Sequence, residues 1–172
     1  MSATVSLNEL NMMSSADFTA RLGAIFEHSP WVAEHAANAR PFASVDALHE
    51  AMVAAVQAAP ADVQLALIRA HPQLAGKAAI RRELTAESTR EQSGAGLDDC
   101  TTDEFARLTE LNARYNARFG FPFILAVKGY DRRGIIAACE ARVTRTPEEE
   151  YAENLRQIAR IARVRLCVLL ND

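Results

Sequence analysis

The chain has 172 residues, of which 49% are hydrophobic and 24% charged, and this composition is typical of a globular protein rather than a disordered one. Its formal net charge of -3 argues against nucleic acid or an anionic membrane surface as a partner. With only 7 glycines and 6 prolines, the composition favours helices over a β-sandwich with many turns.

The three cysteines, Cys100, Cys139 and Cys167, form no CxxC pair. We therefore expect neither a disulfide framework nor a zinc site, and a reducing compartment suits the chain better. The first residues lack a secretory signal, no apolar run is long enough to cross a membrane, and the C-terminus carries no peroxisomal address. The sequence thus predicts a cytoplasmic protein with no membrane segment.

Start and stop signals predict a single all-α domain over residues 1–172, a compact bundle of about eight helices. We expect residues 1–13 to form a loose N-terminal extension. Apolar residues at helical spacing between positions 18 and 26 predict the first helix, and Ser29 is expected to cap a second. Ser44 is expected to cap a third, and a fourth should end at His71, before a proline.

The second half of the chain continues this helical pattern. The stretch AAIRREL (78–84) predicts a helix, and Thr85 is expected to cap the next one, which the Gly-Ala-Gly sequence then breaks. Thr101 begins a capping-box pattern for a long helix that ends at Gly120. GIIAACEARV predicts a further helix, and Thr146 with the following proline begins the last.

Residues 121–127, FPFILAV, depart from helical character because they are short, almost wholly apolar and contain a proline. They predict a short buried extended segment. Plain core is the simplest interpretation. However, a non-helical segment inside a helical protein has backbone N–H and C=O groups that need partners, and a ligand with several amide-like edges could provide them.

Ser88, Glu91 and Gln92 have the i, i+3, i+4 spacing of one helix face, so their polar groups should point the same way. A solvated surface is the alternative interpretation. The Gly-Ala-Gly break that follows favours close packing at that end of the helix.

His71 is the best single proton carrier in the chain, because an unperturbed imidazole titrates near pH 6.5. Its place before a proline puts it at a helix end, where its ring could point into a cleft. A structural loop histidine is the alternative. The other histidines lack the spacing of metal ligands, so no metal site is predicted.

Arg165 falls near the centre of the apolar stripe of the last helix, whereas Arg160 points to the opposite side. A cation on an apolar face must extend to solvent or find an anion. An inward arginine suits recognition of a planar, carboxylate-bearing ligand through its rigid set of donors.

Three motifs together resemble one family, the decarboxylases of 2-oxo-4-hydroxy-4-carboxy-5-ureidoimidazoline (OHCU). They are HPQLAGK (71–77), STREQSGAGL (88–97) and LNARYNARFGFPFILAVKG (111–129), which agree with the family in order and spacing. The resemblance implies an all-α homodimer that converts OHCU to (S)-allantoin and carbon dioxide in urate degradation, without a cofactor or metal.

The resemblance also assigns roles to residues of this chain. It implies His71 and Glu91 as the catalytic residues. The positions that it implies as substrate-binding are Pro72, Ser88, Thr89, Arg90, Gln92, Phe123, Ile124, Leu125, Ala126, Val127 and Arg165. Arg160 and Arg163 crowd the same helix as Arg165, so the choice among these three arginines stays open.

Two other functions remain open at this point. A hydrolase or isomerase acting on a related ureide would use the same pocket for different chemistry. A non-catalytic helical module would instead bind a partner through a flat apolar patch, and it would tolerate replacement of His71 and Glu91.

Overall fold

The structure is a computed structural model that describes residues 4–75 and 84–171. Its regular structure confirms the predicted all-α class, because the described residues form nine α-helices and one 3-10 turn and contain no strand. The chain divides into two compact units, one made of residues up to Ala70 and from Ala159 onward, the other of residues His71–Ile158. A single domain over residues 1–172 stays a prediction. Most of the predicted helix 78–84 lies outside the described residues.

The first unit contains five helices and the end of the last one. They are α1 (Leu7–Met12), α2 (Ser15–Leu22), α3 (Trp31–Ala37), α4 (Val45–Ala58) and α5 (Ala61–Ala70). Ser44 caps α4 as predicted, since its side chain accepts a hydrogen bond from the N–H of Ala47. Within the described part of the chain, no single helix is long and apolar enough to cross a membrane, although α4 and α5 together meet that test as a pair bent by 119°.

The N-terminal region differs from the loose extension that the sequence predicted. Leu10 is fully buried, and the N–H of Val5 donates to the carbonyl of Leu169 over 3.2 Å. The Asn11 amide donates to the carbonyl of Phe42 and accepts from its N–H, at 2.9 and 2.8 Å. These contacts fix the region that contains α1, so the prediction is wrong for residues 4–13.

Two details between α2 and α3 also differ from prediction. The helix α2 ends at Leu22 instead of continuing to residue 26. Ser29 does not cap α3, because its buried hydroxyl donates to the carbonyl of Glu27 over 3.0 Å and Pro30 occupies the N-cap position. The serine hydroxyl therefore stabilises the preceding turn instead of the helix.

The second unit contains α6 (Ala86–Gly94), a 3-10 turn (Leu97–Asp99), α7 (Thr102–Phe119), α8 (Arg132–Arg142) and the first half of α9 (Pro147–Leu170). Thr85 caps α6, and Thr101 makes the predicted capping box with Glu104. Gly120 ends α7 with φ of +74°, a conformation that glycine adopts without steric cost. Residues 121–127 follow it as a buried segment without helical structure, as predicted.

Candidate functional site

The helix α6 turns one polar face inward. Ser88 and Gln92 are buried and Glu91 is half-buried, whereas Thr89 and Arg90 are exposed. The prediction that Ser88, Glu91 and Gln92 share a face is confirmed. The alternative interpretation, that this face is fully solvated, is wrong. Burying polar side chains on a helix is costly unless they find partners, so this face is built for specific contacts.

Thr89 and Arg90 lie on the solvent side of α6 and contact their own helix. The Thr89 hydroxyl donates to the carbonyl of Thr85 over 2.9 Å. Arg90 donates to the carbonyl of Ala86 over 3.2 Å and lies 3.5 Å from the carboxylate of Glu87. Substrate binding by these two residues stays a prediction.

His71 follows the last residue of α5 and is 8% exposed, while the next residue, Pro72, is half-buried. The histidine therefore lies at a helix end, as its place before a proline predicts. It belongs to the same compact unit as the polar face of α6.

The loop that follows His71 is tied directly to that face. The Gln92 amide accepts from the N–H of Ala75 over 2.9 Å and donates to the carbonyl of Gln73 over 3.3 Å. From α7, the Asn112 amide donates to the carbonyl of Leu74 over 2.9 Å. Two buried amides thus hold three consecutive residues of the loop, and this fixes the backbone on which His71 sits.

Asn112 has a further property that the sequence reasoning did not use. Its side-chain oxygen is buried and, within the described chain, accepts no hydrogen bond. Such an atom is uncommon in folded proteins and calls for an explanation, such as a bound water or a ligand. Its position in the sequence could have indicated this, because Asn112 is a polar residue on the apolar stripe of α7.

The backbone of residues 121–127 finds partners within the protein at alternate residues. Asn154 donates to the carbonyl of Pro122 over 3.0 Å and accepts from the N–H of Ile124 over 3.3 Å. Gln157 accepts from the N–H of Ala126 over 2.9 Å. Side chains of α9 therefore provide some of the partners that the sequence analysis attributed to a ligand.

Arg142, at the end of α8, connects the same segment to a buried carboxylate. Its guanidinium lies 2.8 Å from Glu150, donates to the carbonyl of Ile124 over 2.7 Å, and stacks 4.6 Å from the ring centre of Phe123. The Tyr115 hydroxyl also donates to Glu150. Burial raises the pKa of Tyr115 well above its usual value, and this hydrogen bond raises it further.

Sequence reasoning missed this cluster, although α9 carried a signal for it. Glu150, Asn154 and Gln157 follow one another at helical spacing and are all buried. Three polar residues on the buried side of a helix indicate a polar network, just as one arginine did at position 165.

Arg165 belongs to the other unit and is only 6% exposed. Its guanidinium lies 2.8 Å from the carboxylate of the buried Glu27. Arg160 is exposed, so the predicted orientations of both arginines are confirmed. Arg163 pairs with Asp46 at 2.9 Å. The interpretation that Arg165 extends to solvent is therefore wrong, while its role toward substrate stays a prediction.

The described residues contain no group of three or more histidine, cysteine, aspartate or glutamate side chains that could hold a metal ion. The hydrogen-bonding groups of the site are instead imidazole, carboxylate, hydroxyl, amide and backbone groups. Such a set can orient a polar ring and transfer a proton to it.

The family model for OHCU decarboxylase matches residues 11–167 of this sequence. This chain belongs to the OHCU decarboxylase family. Membership confirms the resemblance carried by the three motifs, and decarboxylases are carbon–carbon lyases.

Individual relatives agree with this membership. The chain is 41% identical to the 2-oxo-4-hydroxy-4-carboxy-5-ureidoimidazoline decarboxylase of Haloferax volcanii over 162 residues, which cover 94% of both chains. It is 42% identical over 166 residues to the uric acid degradation bifunctional protein PucL of Bacillus subtilis, covering 96% of this chain and 33% of that protein. The crystal structure of (S)-allantoin synthase aligns with a TM-score of 0.79 at 32% identity, covering 96% of this chain and 54% of that one.

PucL and the (S)-allantoin synthase chain are both much longer than the part of them that aligns with this chain. The chain spans about a third of the bifunctional protein and about half of the (S)-allantoin synthase chain. The decarboxylase of Haloferax volcanii is matched over 94% of its length, so it is the better guide to this chain.

Proposed function

We propose that this protein catalyses the decarboxylation of OHCU to (S)-allantoin and carbon dioxide in urate degradation. Membership of the OHCU decarboxylase family over residues 11–167 supports the reaction. The observation that supports the site is the link between Gln92 and the loop after His71, because it fixes the proposed acid–base residue relative to the helix that carries Glu91.

The substrate itself explains how the reaction can proceed without a cofactor. Its carboxylate is attached to a ring carbon beside a C=N bond. When the bond to the carboxylate breaks, its electron pair can move toward that C=N bond while carbon dioxide leaves. The protein then has to orient the carboxylate, stabilise the developing charge and deliver one proton.

We assign the proton transfer to His71 and the orientation of substrate or imidazole to Glu91. Proton transfer by a positioned side chain accelerates a reaction roughly 10²–10⁴-fold. Delivery of the proton to one face of the ring would set the configuration of allantoin. Ser88, Gln92, Pro72 and the backbone of residues 123–127 are proposed to contact the ring and its ureido group.

A role in binding the substrate carboxylate is proposed for Arg165. Its pairing with Glu27 holds the guanidinium in one orientation, and a fixed set of parallel donors suits a carboxylate. The proposal for Arg165 rests on the family resemblance and on its burial, and it is tested separately from that for His71.

We further propose that the protein is a cytoplasmic homodimer that uses neither cofactor nor metal. The family resemblance supports the dimer, and the three free thiols suit a reducing compartment. Light scattering after size-exclusion chromatography should give twice the 18.8 kDa chain mass. A monomer at micromolar concentration would contradict the dimer.

The direct test supplies the protein with freshly generated OHCU and follows carbon dioxide release and the circular dichroism of the allantoin formed. We expect both to appear faster than in the uncatalysed reaction, with the (S) enantiomer in excess. Consumption of OHCU without carbon dioxide would favour a hydrolase or isomerase. No acceleration at all would favour a non-catalytic binding module.

A further inference from the structure

The hydrogen bonds to residues 122–126 follow a period of two. They involve the carbonyl of Pro122, both backbone groups of Ile124 and the N–H of Ala126. In an extended chain, the N–H and C=O of one residue point to the same edge and those of the next residue point to the opposite edge. The bonded groups therefore lie on a single edge of the segment.

Three side chains occupy that edge in the place of a neighbouring strand. Asn154 provides one donor and one acceptor, Arg142 a donor and Gln157 an acceptor. All three are at least 94% buried. A buried, mutually bonded set of this kind has little freedom to move, so the backbone it holds is also held precisely.

Further contacts keep these three side chains in place. Arg142 also donates to the Asn154 oxygen over 2.8 Å and pairs with Glu150. The amide of Gln157 donates to the carboxylate of Glu153 over 2.6 Å, which fixes which end of the amide faces Ala126. The cluster thus determines where this edge lies and which of its backbone groups face a donor or an acceptor.

We propose that Arg142, Asn154 and Gln157 are positioning residues that direct the backbone groups of Phe123 and Leu125 to the opposite edge, where they select the substrate. That edge would offer alternating N–H donors and C=O acceptors, a pattern that matches a ring or ureide with adjacent amide-like groups. The inference rests on the proposed function, because the ligand class is that of the proposed substrate.

A purely structural role for the cluster makes a different prediction. If these side chains only stabilise the fold, their replacement lowers the melting temperature and leaves the KM of the folded protein unchanged. If they position a substrate-binding edge, KM rises while kcat changes little, because the edge contacts substrate and transition state alike.

Gln157→Met is the sharpest test, because it removes the acceptor for Ala126 at nearly constant side-chain volume. We expect KM for OHCU to rise about tenfold with kcat within about threefold of wild type, since small misplacements of binding groups cost factors of this size or larger. Glu148→Ala on the same helix is the control. Glu148 is exposed and lies outside the cluster, so its loss should leave KM unchanged.

A double variant tests for rescue. In Glu153→Gln/Gln157→Glu, the residue at position 157 again offers an oxygen to Ala126 and accepts from the new amide at position 153. KM should return to within about threefold of wild type, whereas Gln157→Glu alone should not restore it because two carboxylates then face each other.

Asn154→Asp supplies a second test, because it keeps the acceptor for Ile124 and replaces the donor to Pro122 with a carboxylate oxygen that repels that carbonyl. It should raise KM by a few-fold in folded protein. An active wild type with unchanged KM in both Gln157→Met and Asn154→Asp would overturn the positioning role. An inactive wild type would instead overturn the proposed function.

Discussion

Among residues 4–75 and 84–171, each unit contains one deeply buried arginine, and these two arginines have different surroundings. Arg142 and Arg165 are 5% and 6% exposed, and each lies 2.8 Å from a buried glutamate, Glu150 and Glu27 respectively. Arg142 also binds the backbone of a buried non-helical segment and the side chain of Asn154. Arg165 binds its glutamate and, at 3.3–3.4 Å, two carbonyls of a turn.

The comparison shows why a buried cation does not by itself identify a ligand site. The partners of Arg142 are protein groups from several parts of one unit, so its main effect falls on the backbone it holds. The guanidinium of Arg165 lies 2.8 Å from the Glu27 carboxylate and donates to the carbonyls of Ala24 and Ile25 over 3.4 and 3.3 Å. We therefore expect both arginines to stabilise the fold, with Arg142 acting on substrate binding through the backbone that it holds and Arg165 acting on it directly.

Among the substitutions proposed below, replacement of either buried arginine should cause the largest loss of stability. Arg142→Met removes the shorter of two arginine contacts to the buried Glu150 and leaves Arg145 at 3.5 Å. Loss of one partner from a buried pair costs up to about 3–5 kcal/mol of unfolding free energy. Arg165→Met should cost a similar amount through Glu27. Urea titration measures both, with the exposed Arg160→Met as control, expected within about 0.5 kcal/mol of wild type. A cost below 1 kcal/mol for Arg142→Met would contradict the account.

Tyr115→Phe should have the next largest effect and a distinctive pH dependence. Loss of its hydrogen bond to the Glu150 carboxylate should cost about 1.5–3 kcal/mol near pH 7. Because burial raises the pKa of Tyr115 in the folded state, its contribution is complete below the unfolded pKa of about 10 and is lost as the pH rises toward the folded pKa.

Urea titrations between pH 7 and 11 test that sign. The difference in stability between wild type and Tyr115→Phe should shrink above about pH 10. The exposed Tyr130→Phe is the matched control, and its stability should stay within about 0.5 kcal/mol of wild type at pH 7. A difference that grows with rising pH would show that the sign is wrong.

Arg165→Lys sharpens the comparison on the functional side. A lysine keeps the charge and loses the rigid set of parallel donors, so we expect KM to rise about tenfold, roughly 1.4 kcal/mol of binding. Arg163→Lys is the paired variant and should leave KM unchanged, since Arg163 binds Asp46 at the protein surface. If Arg163→Lys raises KM and Arg165→Lys does not, the wrong arginine has been chosen.

The smallest expected effects concern the helix caps. Thr146→Ala at the start of α9 and Ser6→Ala at the start of α1 should each cost about 0.5–2 kcal/mol. Backbone N–H groups of these caps lower the pKa of Glu149 and Glu9. The contribution of each carboxylate is present above its unfolded pKa of about 4.3 and is lost as the pH falls through the lower folded value.

Urea titrations at pH 7 and pH 3 test the caps. In both units the cost of the cap substitution should be smaller at the lower pH. The substitution removes a hydroxyl that hydrogen-bonds the carboxylate of Glu149 or Glu9, and a protonated carboxyl binds that hydroxyl less strongly. An equal cost at both values would show that the carboxylates contribute nothing to the caps.

Local features of the fold could be predicted from the sequence because their partners are near in the chain. Thr85 and Thr101 cap helices through contacts three residues away, and the orientation of Arg165 followed from helical periodicity alone. Ser29 shows the limit of such reasoning, since its hydroxyl donates to the carbonyl of Glu27, two residues earlier, and accepts no capping bond from α3.

Features that depend on distant partners could not be predicted in this way. The partners of Gln92 lie 17 and 19 residues away, and those of Asn154 on the buried segment lie 30 and 32 residues away. The polar residues were visible in the sequence, but their partners are determined by how the helices pack. This is why the face of α6 could be predicted and the cluster around Arg142 could not.

The central claim is that His71 and Glu91 carry the chemistry, and turnover of OHCU by His71→Ala and Glu91→Ala tests it most directly. We expect the rate of (S)-allantoin formation to fall at least 10²-fold in both variants while the far-ultraviolet circular dichroism stays helical. His35→Ala, which removes an exposed histidine from α3, should turn over like the wild type. Near-normal turnover by folded His71→Ala or Glu91→Ala would contradict the account.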